Sequence, residues 1–133
     1  MLSLVEHCLK EDVLVSPEQN VRAWIACWQG RLAGSGSNIT RAVLGGYLSD
    51  RVAWAFASGY QAAIHTLAPN LESDDVGAFC MTEPSGNQPK SINTSCRGIS
   101  AGKLEIEGTK CWASLGMQCT VFLVMCVAGF DSA

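Results

Sequence analysis

Residues 77–90 read GAFCMTEPSGNQPK. The stretch begins as an apolar run of strand character. At Thr82-Glu83-Pro84 it passes into Ser, Gly, Asn, Gln and Pro, residues that favour turns. The chain on either side differs in period. Up to about Pro69 the apolar residues recur every three or four positions. Beyond the acidic stretch NLESDD (70–75) come short β-branched and aromatic runs separated by turn residues. Helices first and antiparallel strands second predict an α+β fold or two adjacent domains, of which the α+β fold is expected. An N-terminal helical region would occupy residues 1–70 and a segment of antiparallel strands residues 71–133, with the boundary near residues 69–75.

In the helical half, Ser16-Pro17-Glu18-Gln19 is a start signal: Ser caps, Pro takes the first turn, and Gln completes a capping box. Val21, Trp24, Ile25, Trp28 and Leu32 then define one apolar face. The Gly-Ser segment RLAGSGSN (31–38) breaks this helix. It lacks the Lys of a P-loop and the third Gly of a dinucleotide fingerprint, so it reads as a helix–helix connection. In SDRVAWAFASGYQAAIHTL (49–67), Ser49 and Asp50 suit a helix start, and Pro69 follows the end. Val52, Phe56, Tyr60, Ala63 and Leu67 are expected to form its apolar face. Ala53, Ala57 and Gly59 keep the other faces small, as suits a helix packed closely between neighbours. His65 reads as a helix-end residue rather than a catalytic one.

The strand half contains VGAFCMT (76–82), KSINTSC (90–96), KLEIEGTKCWASL (103–115) and TVFLVMCV (120–127). GKLEIEGTK (102–110) has the pattern of a strand, a glycine-centred turn and a following strand.

Composition limits the function. Of 133 residues, 48% are apolar and only 16% charged, which predicts apolar surface covered by another subunit, a further segment or a ligand. A net charge of −3 without a basic stripe argues against nucleic-acid binding. The longest apolar run, TVFLVMCVAGF (120–130), is too short to span a bilayer. The N-terminus lacks the basic region of a secretory signal, so a cytoplasmic protein is expected and the sequons at Asn38 and Asn93 read as chance matches. The seven cysteines include no C-x-x-C pair and no zinc-ligand spacing. No metal site is expected, and the thiols read as reduced.

The polar residues that interrupt the strand half suggest a site. Thr82 closes an apolar strand. If 111–114 is a strand, alternation puts Trp112 and Ser114 on one face of it. An aromatic wall and two hydroxyls meeting at one place suit a planar ring with polar edges. Each residue also has a simpler reading: Trp112 as core, Thr82 as a strand residue, Ser114 as a turn residue.

FCMTEPSG (79–86), INT (92–94), LEIEGTKCWASLG (104–116) and the apolar strand after them resemble the middle β-domain of the acyl-CoA dehydrogenases. That family carries Thr-Glu-Pro after a strand, and later Gly-x-Lys-x-Trp-(Ile/Thr)-(Thr/Ser)-x-Gly. Gly108, Lys110, Trp112, Ser114 and Gly116 match the second motif. RVAWAFASGYQAAI (51–64) is similar to the small-residue helix that precedes the domain.

The resemblance implies FAD. Met81 and Thr82 would face the flavin pyrimidine edge, Trp112 would lie against the ring, and Ser114 would point to N5, the hydride acceptor. It further implies an acyl-CoA or related thioester substrate, an α,β-dehydrogenation and a place in fatty acid metabolism. Where the family continues Gly-x-Gly-Ser-Asp after Thr-Glu-Pro, this chain has Ser85-Gly86-Asn87-Gln88-Pro89. The family serine there helps hold the thioester arm, a role left here to Gln88 or Ser85.

The family's catalytic base is a glutamate of a C-terminal helical bundle, which also forms much of the oligomer interface. Neither Glu83, read as structural, nor Glu105, read as facing outward on a hairpin, replaces it. No catalytic residue is therefore assigned within this chain, and the base is expected from outside it. Three readings remain open: the front portion of a longer dehydrogenase-like protein, a short chain completed by a homo-oligomer or partner chain, and a non-catalytic binding or assembly module that has lost flavin. A cysteine-based thiol enzyme is weaker than these, because only His7 and His65 could assist a thiol.

Overall fold

The computed structural model describes residues 20–31 and 36–129, together with Glu6 and Cys8. The expected start signal at 16–19, Leu32 and His7 lie outside these residues. The architecture is α+β: α1 (Val21–Arg31), α2 (Asn38–Tyr47), α3 (Val52–Leu67), β1 (Gly77–Cys80), a 3-10 turn (Pro89–Ser91), β2 (Ser95–Ser100), β3 (Lys103–Glu107), β4 (Val121–Val124) and β5 (Val127–Ala128). The chain divides into two compact units. One comprises residues 1–77 with 117–121, the other residues 78–116 with 122–133.

In the helical unit the first expectation holds. Trp24, Ile25 and Trp28 are the buried face of α1, and burial of an aliphatic side chain such as Ile25 stabilises by roughly 2 kcal/mol. Asn20 opens the described helix, its Oδ1 accepting the Ala23 N–H at 2.9 Å. The next described helix is α2, capped by Ser37, whose Oγ accepts the Thr40 N–H at 3.3 Å.

The expected face of α3 is corrected. Val52, Phe56 and Leu67 are exposed, and the helix buries Trp54, Ala57, Ser58, Gln61, Ala62 and Ile64 instead. Two faces of this helix are apolar, and the one with small residues wins because it admits neighbours at close range. A Cβ on Gly45 of α2 would collide with the Trp28 indole and with Ser58, so that approach requires glycine. Trp24 donates its Nε1–H to Ser58 Oγ at 3.0 Å and stacks on Trp54 with ring centroids 5.7 Å apart.

The expected caps at Ser49 and Asp50 are also corrected. Ser49 Oγ donates back to the Gly45 carbonyl at 2.5 Å, and Asp50 pairs with Arg51, which occupies the N-cap position without a side-chain cap.

Gly77 starts β1 against α3. Gln61 donates to its carbonyl at 2.9 Å and accepts its N–H at 2.8 Å, and a Cβ there would strike Ile64. His65 Nε2–H donates to the Asp75 carbonyl at 3.1 Å, a structural role at the helix end.

The strands form two small sheets, β1–β4 and β3–β2–β5. Only β2 and β3 form the expected antiparallel pair, and β5 runs parallel to β2. The Val76 carbonyl accepts from Thr120 and Val121, and the Cys80 carbonyl from Met125, so β4 advances in the same direction as β1. Only the hairpin is antiparallel because only it joins sequence neighbours through a tight turn; the other pairs are separated by long connections. The hairpin turn is also corrected. It lies at Ala101-Gly102, where Gly102 has φ +73°, and not at Gly108. No helix among the described residues is long and apolar enough to cross a membrane.

Candidate functional site

β1 leads into Met81, Thr82 and Glu83, and the Glu83 carboxylate gathers the surrounding loops. Its side chain is 4% exposed. Its Oε1 accepts Lys110 Nζ at 2.7 Å, Thr94 Oγ1 at 2.6 Å and the Thr94 N–H at 2.9 Å; Oε2 accepts the Asn93 N–H at 2.7 Å. A buried carboxylate is stable only when paired and bonded in this way. The Lys110 ammonium, then the Thr94 hydroxyl and the two backbone N–H groups, hold the Glu83 carboxyl well below the usual carboxylate range. It remains ionised and fully engaged, which agrees with a structural role and not with proton abstraction.

The same lysine reaches the Met81 carbonyl at 3.4 Å. Beside it the Cys111 N–H donates to the Thr82 carbonyl at 2.8 Å. Segment 110–111 is thereby tied to the end of β1, and Trp112 is the next residue.

Trp112 is 88% exposed. Both Trp112 and Leu115 have left-handed backbones, with φ 58° and 61°. This conformation costs a residue with a Cβ about 1–2 kcal/mol, and such strain gathers at functional sites. A turn closed by Gly116 N–H and the Ala113 carbonyl at 3.0 Å holds Ser114 between them.

The alternation argument for Trp112 and Ser114 is therefore corrected, since residues 108–120 contain no strand. β3 ends at Glu107, where Gly108 packs so closely on Thr94 that a Cβ would collide with it. Lys110 and Cys111 are then fixed by Glu83 and Thr82, and the left-handed Trp112 turns the chain. The structure thus brings Thr82 and Trp112 to one neighbourhood through backbone bonding. It places half-buried Ser114 two residues further on in a turn. The hydroxyls of Thr82 and Ser114 and the Trp112 indole N–H carry no hydrogen bond to other described residues.

Ser85 and Gln88 separate. Glu83 and Gly86 exchange backbone hydrogen bonds at 2.9 Å each, with Gly86 at φ +132°. Ser85 Oγ donates to the Ser91 carbonyl at 2.7 Å and accepts from Asn93 Nδ2 at 3.0 Å, leaving one lone pair. Ser85 lines an open cleft of about 280 Å³ together with Glu83, Pro84, Asn93, Thr94, Gly108 and Thr109. Gln88 is exposed, precedes the 3-10 turn and is not part of the cleft.

The Glu83–Thr94–Lys110 hub was not anticipated as a unit, and its one sequence signal was a glutamate in an otherwise apolar and turn-forming context. Among the described residues no group of three or more His, Cys, Asp or Glu side chains could hold a metal ion. Comparison of the chain with known family models, curated proteins and solved structures finds no match.

Proposed function

We propose that this chain is part of an acyl-CoA-dehydrogenase-like flavoprotein that binds FAD and acts in α,β-dehydrogenation of an acyl thioester, with the base supplied from outside this chain. The observation that supports the reading most is the Cys111–Thr82 bond, which holds a strained, exposed indole beside the end of β1. An isolated indole 88% in water gains from any flat apolar partner. The unengaged hydroxyls of Thr82 and Ser114 supply polar groups for the edge of such a partner. These residues fit an isoalloxazine: Trp112 would cover a face, and Met81, Thr82 and Ser114 would meet the edge.

Flavin, when bound, supplies hydride acceptance. The chain's own part is positional. Thr82 and the backbone near it would donate toward the pyrimidine edge, where preorganised donors favour negative charge. Glu83 and Lys110 lock the loop that presents them. Ser85, which lines the cleft, is the better placed of the two thioester-arm candidates, and Gln88 would act only from the exposed surface outside it.

An assembly module without flavin is the second reading. It is favoured by apolar side chains left exposed on the helices, including Ile39, Val52, Phe56 and Leu67.

The visible spectrum of the purified protein separates the two. A flavin band that survives gel filtration, either as isolated or after incubation with FAD, supports the flavoprotein. Protein that stays colourless after incubation with excess FAD supports the module.

A further inference from the structure

We propose that β3 is an interaction edge on which a second copy of this chain pairs, giving a two-fold dimer with the continuous sheet β2–β3–β3–β2. The order β3–β2–β5 leaves β3 at one edge of its sheet, bonded to β2 alone. All five of its residues, Lys103–Glu107, are exposed. Among the described residues no backbone group meets the N–H and C=O groups on its outer side. Such an edge is a template for another strand unless it is blunted. β3 contains no proline, and the irregularity of the hairpin falls on β2 between Gly98 and Ser100. Its remaining defence is charge, and that charge selects one partner.

Lys103, Glu105 and Glu107 alternate onto one face of β3, Leu104 and Ile106 onto the other. Glu105 is paired within the chain, opposite Arg97 of β2 and in an ion pair with it. Lys103 and Glu107 have no ion-pair partner among the described residues. A parallel copy would set Lys103 against Lys103 and each glutamate against itself. An antiparallel copy with Glu105 on the two-fold axis sets Lys103 opposite the partner's Glu107 and Leu104 opposite the partner's Ile106. Each charge left single in the chain then gains an opposite neighbour, and the symmetry makes every such contact twice. The two Glu105 carboxylates meet at the axis, each beside its own Arg97 and diagonal to the partner's Lys103. On the other face Leu104 and Ile106, 66% and 48% exposed, cover each other. A slip by one residue would set charged side chains against apolar ones, and a slip by two would take Glu107 away from Lys103.

Five residues a side make a small interface, so the dimer is expected to be weak, to depend on concentration and to loosen as salt screens its ion pairs. This inference is independent of flavin binding and does not involve the exposed helix faces.

The test is sedimentation equilibrium of the purified chain over a concentration series, with circular dichroism of every variant recorded alongside. The wild type is expected to form dimers. Lys103→Glu and Glu107→Lys each turn both attractive contacts into repulsive ones, and each should weaken the dimer about tenfold or more. An equimolar mixture of the two variants should recover it, because an acidic edge then meets a basic one. The double variant Lys103→Glu/Glu107→Lys should recover it as well, and since it carries the wild-type charge its dimer separates a lost edge from a lost fold. A wild type that stays monomeric up to about 1 mM would overturn the proposal. So would a dimer indifferent to both single substitutions, or folded single variants whose mixture associates no better than either alone.

Discussion

The helical unit and the β unit are held together by different forces. Among the described residues nearly every buried apolar side chain belongs to the helical unit, including Trp24, Ile25, Trp28, Leu44, Trp54 and Ile64. The β unit contributes Ala78 and Cys80, and its buried polar centre is Glu83 with Thr94. One unit thus depends on packing, which responds to lost volume, and the other on a charged hub, which responds to pH. The strained Trp112 and the cleft lined by Ser85 both stand next to the hub. The part of the molecule with little apolar core is where the candidate chemistry lies.

The largest effect is expected in the packed unit. Trp24→Ala removes the centre of the stack with Trp54 and the bond to Ser58, and should cost about 3–5 kcal/mol in urea unfolding. A cost below about 1 kcal/mol would mean that the helices do not share this core.

Glu83→Gln tests the other unit. It removes the charge that Lys110 faces, and the loss should be largest at neutral pH. Because the folded carboxyl sits below its ordinary value of about 4.3, its stabilisation is complete above that value and is lost as pH falls through the folded value. The gap in stability between wild type and Glu83→Gln should therefore narrow as the pH drops below about 4. A gap constant from neutral pH to the acid limit would show that the charge does not hold the unit.

A smaller effect separates two tryptophans of the core. Trp54 Nε1 is buried without a hydrogen-bond partner among the described residues, whereas Trp24 Nε1 is bonded to Ser58. Trp54→Phe should therefore cost about 1 kcal/mol less than Trp24→Phe. The smallest effect is expected on the hairpin. Arg97 and Glu105 form an exposed pair across β2 and β3, so Arg97→Ala should cost under about 1 kcal/mol.

How far the sequence revealed this architecture differs between the units. The face of α1 was legible because Trp24, Ile25 and Trp28, its largest apolar residues, repeat at helical spacing. The face of α3 was not, because its large-residue and small-residue faces are both apolar, and only the approach of Gly45 and Gln61's hold on Gly77 decide between them. The hairpin turn was misplaced because two glycines bracket β3: Gly102 supplies the left-handed turn, and Gly108 the close approach to Thr94. Strand direction was illegible where distant segments pair. At the site, the nearness of Thr82 to the Trp112 segment was expected. Its means was not, since a lysine and a backbone N–H attach a loop where alternation suggested a strand. The partners of the Glu83 carboxylate lie 10 to 27 residues away in sequence, beyond any local pattern.

The central claim is that Trp112, held beside Thr82, is one wall of a flavin site. Its most direct test is a titration of wild-type protein, Trp112→Ala and Trp112→Gly with FAD, followed by flavin fluorescence, with unfolding of all three measured in parallel. Saturable binding by the wild type is expected, weakened about tenfold in Trp112→Ala as the aromatic contact is lost. Trp112→Gly should bind as poorly while gaining up to about 1 kcal/mol in stability, because it relieves the left-handed backbone. Equal affinity in all three proteins, or no saturable binding by a folded wild type, would contradict the account.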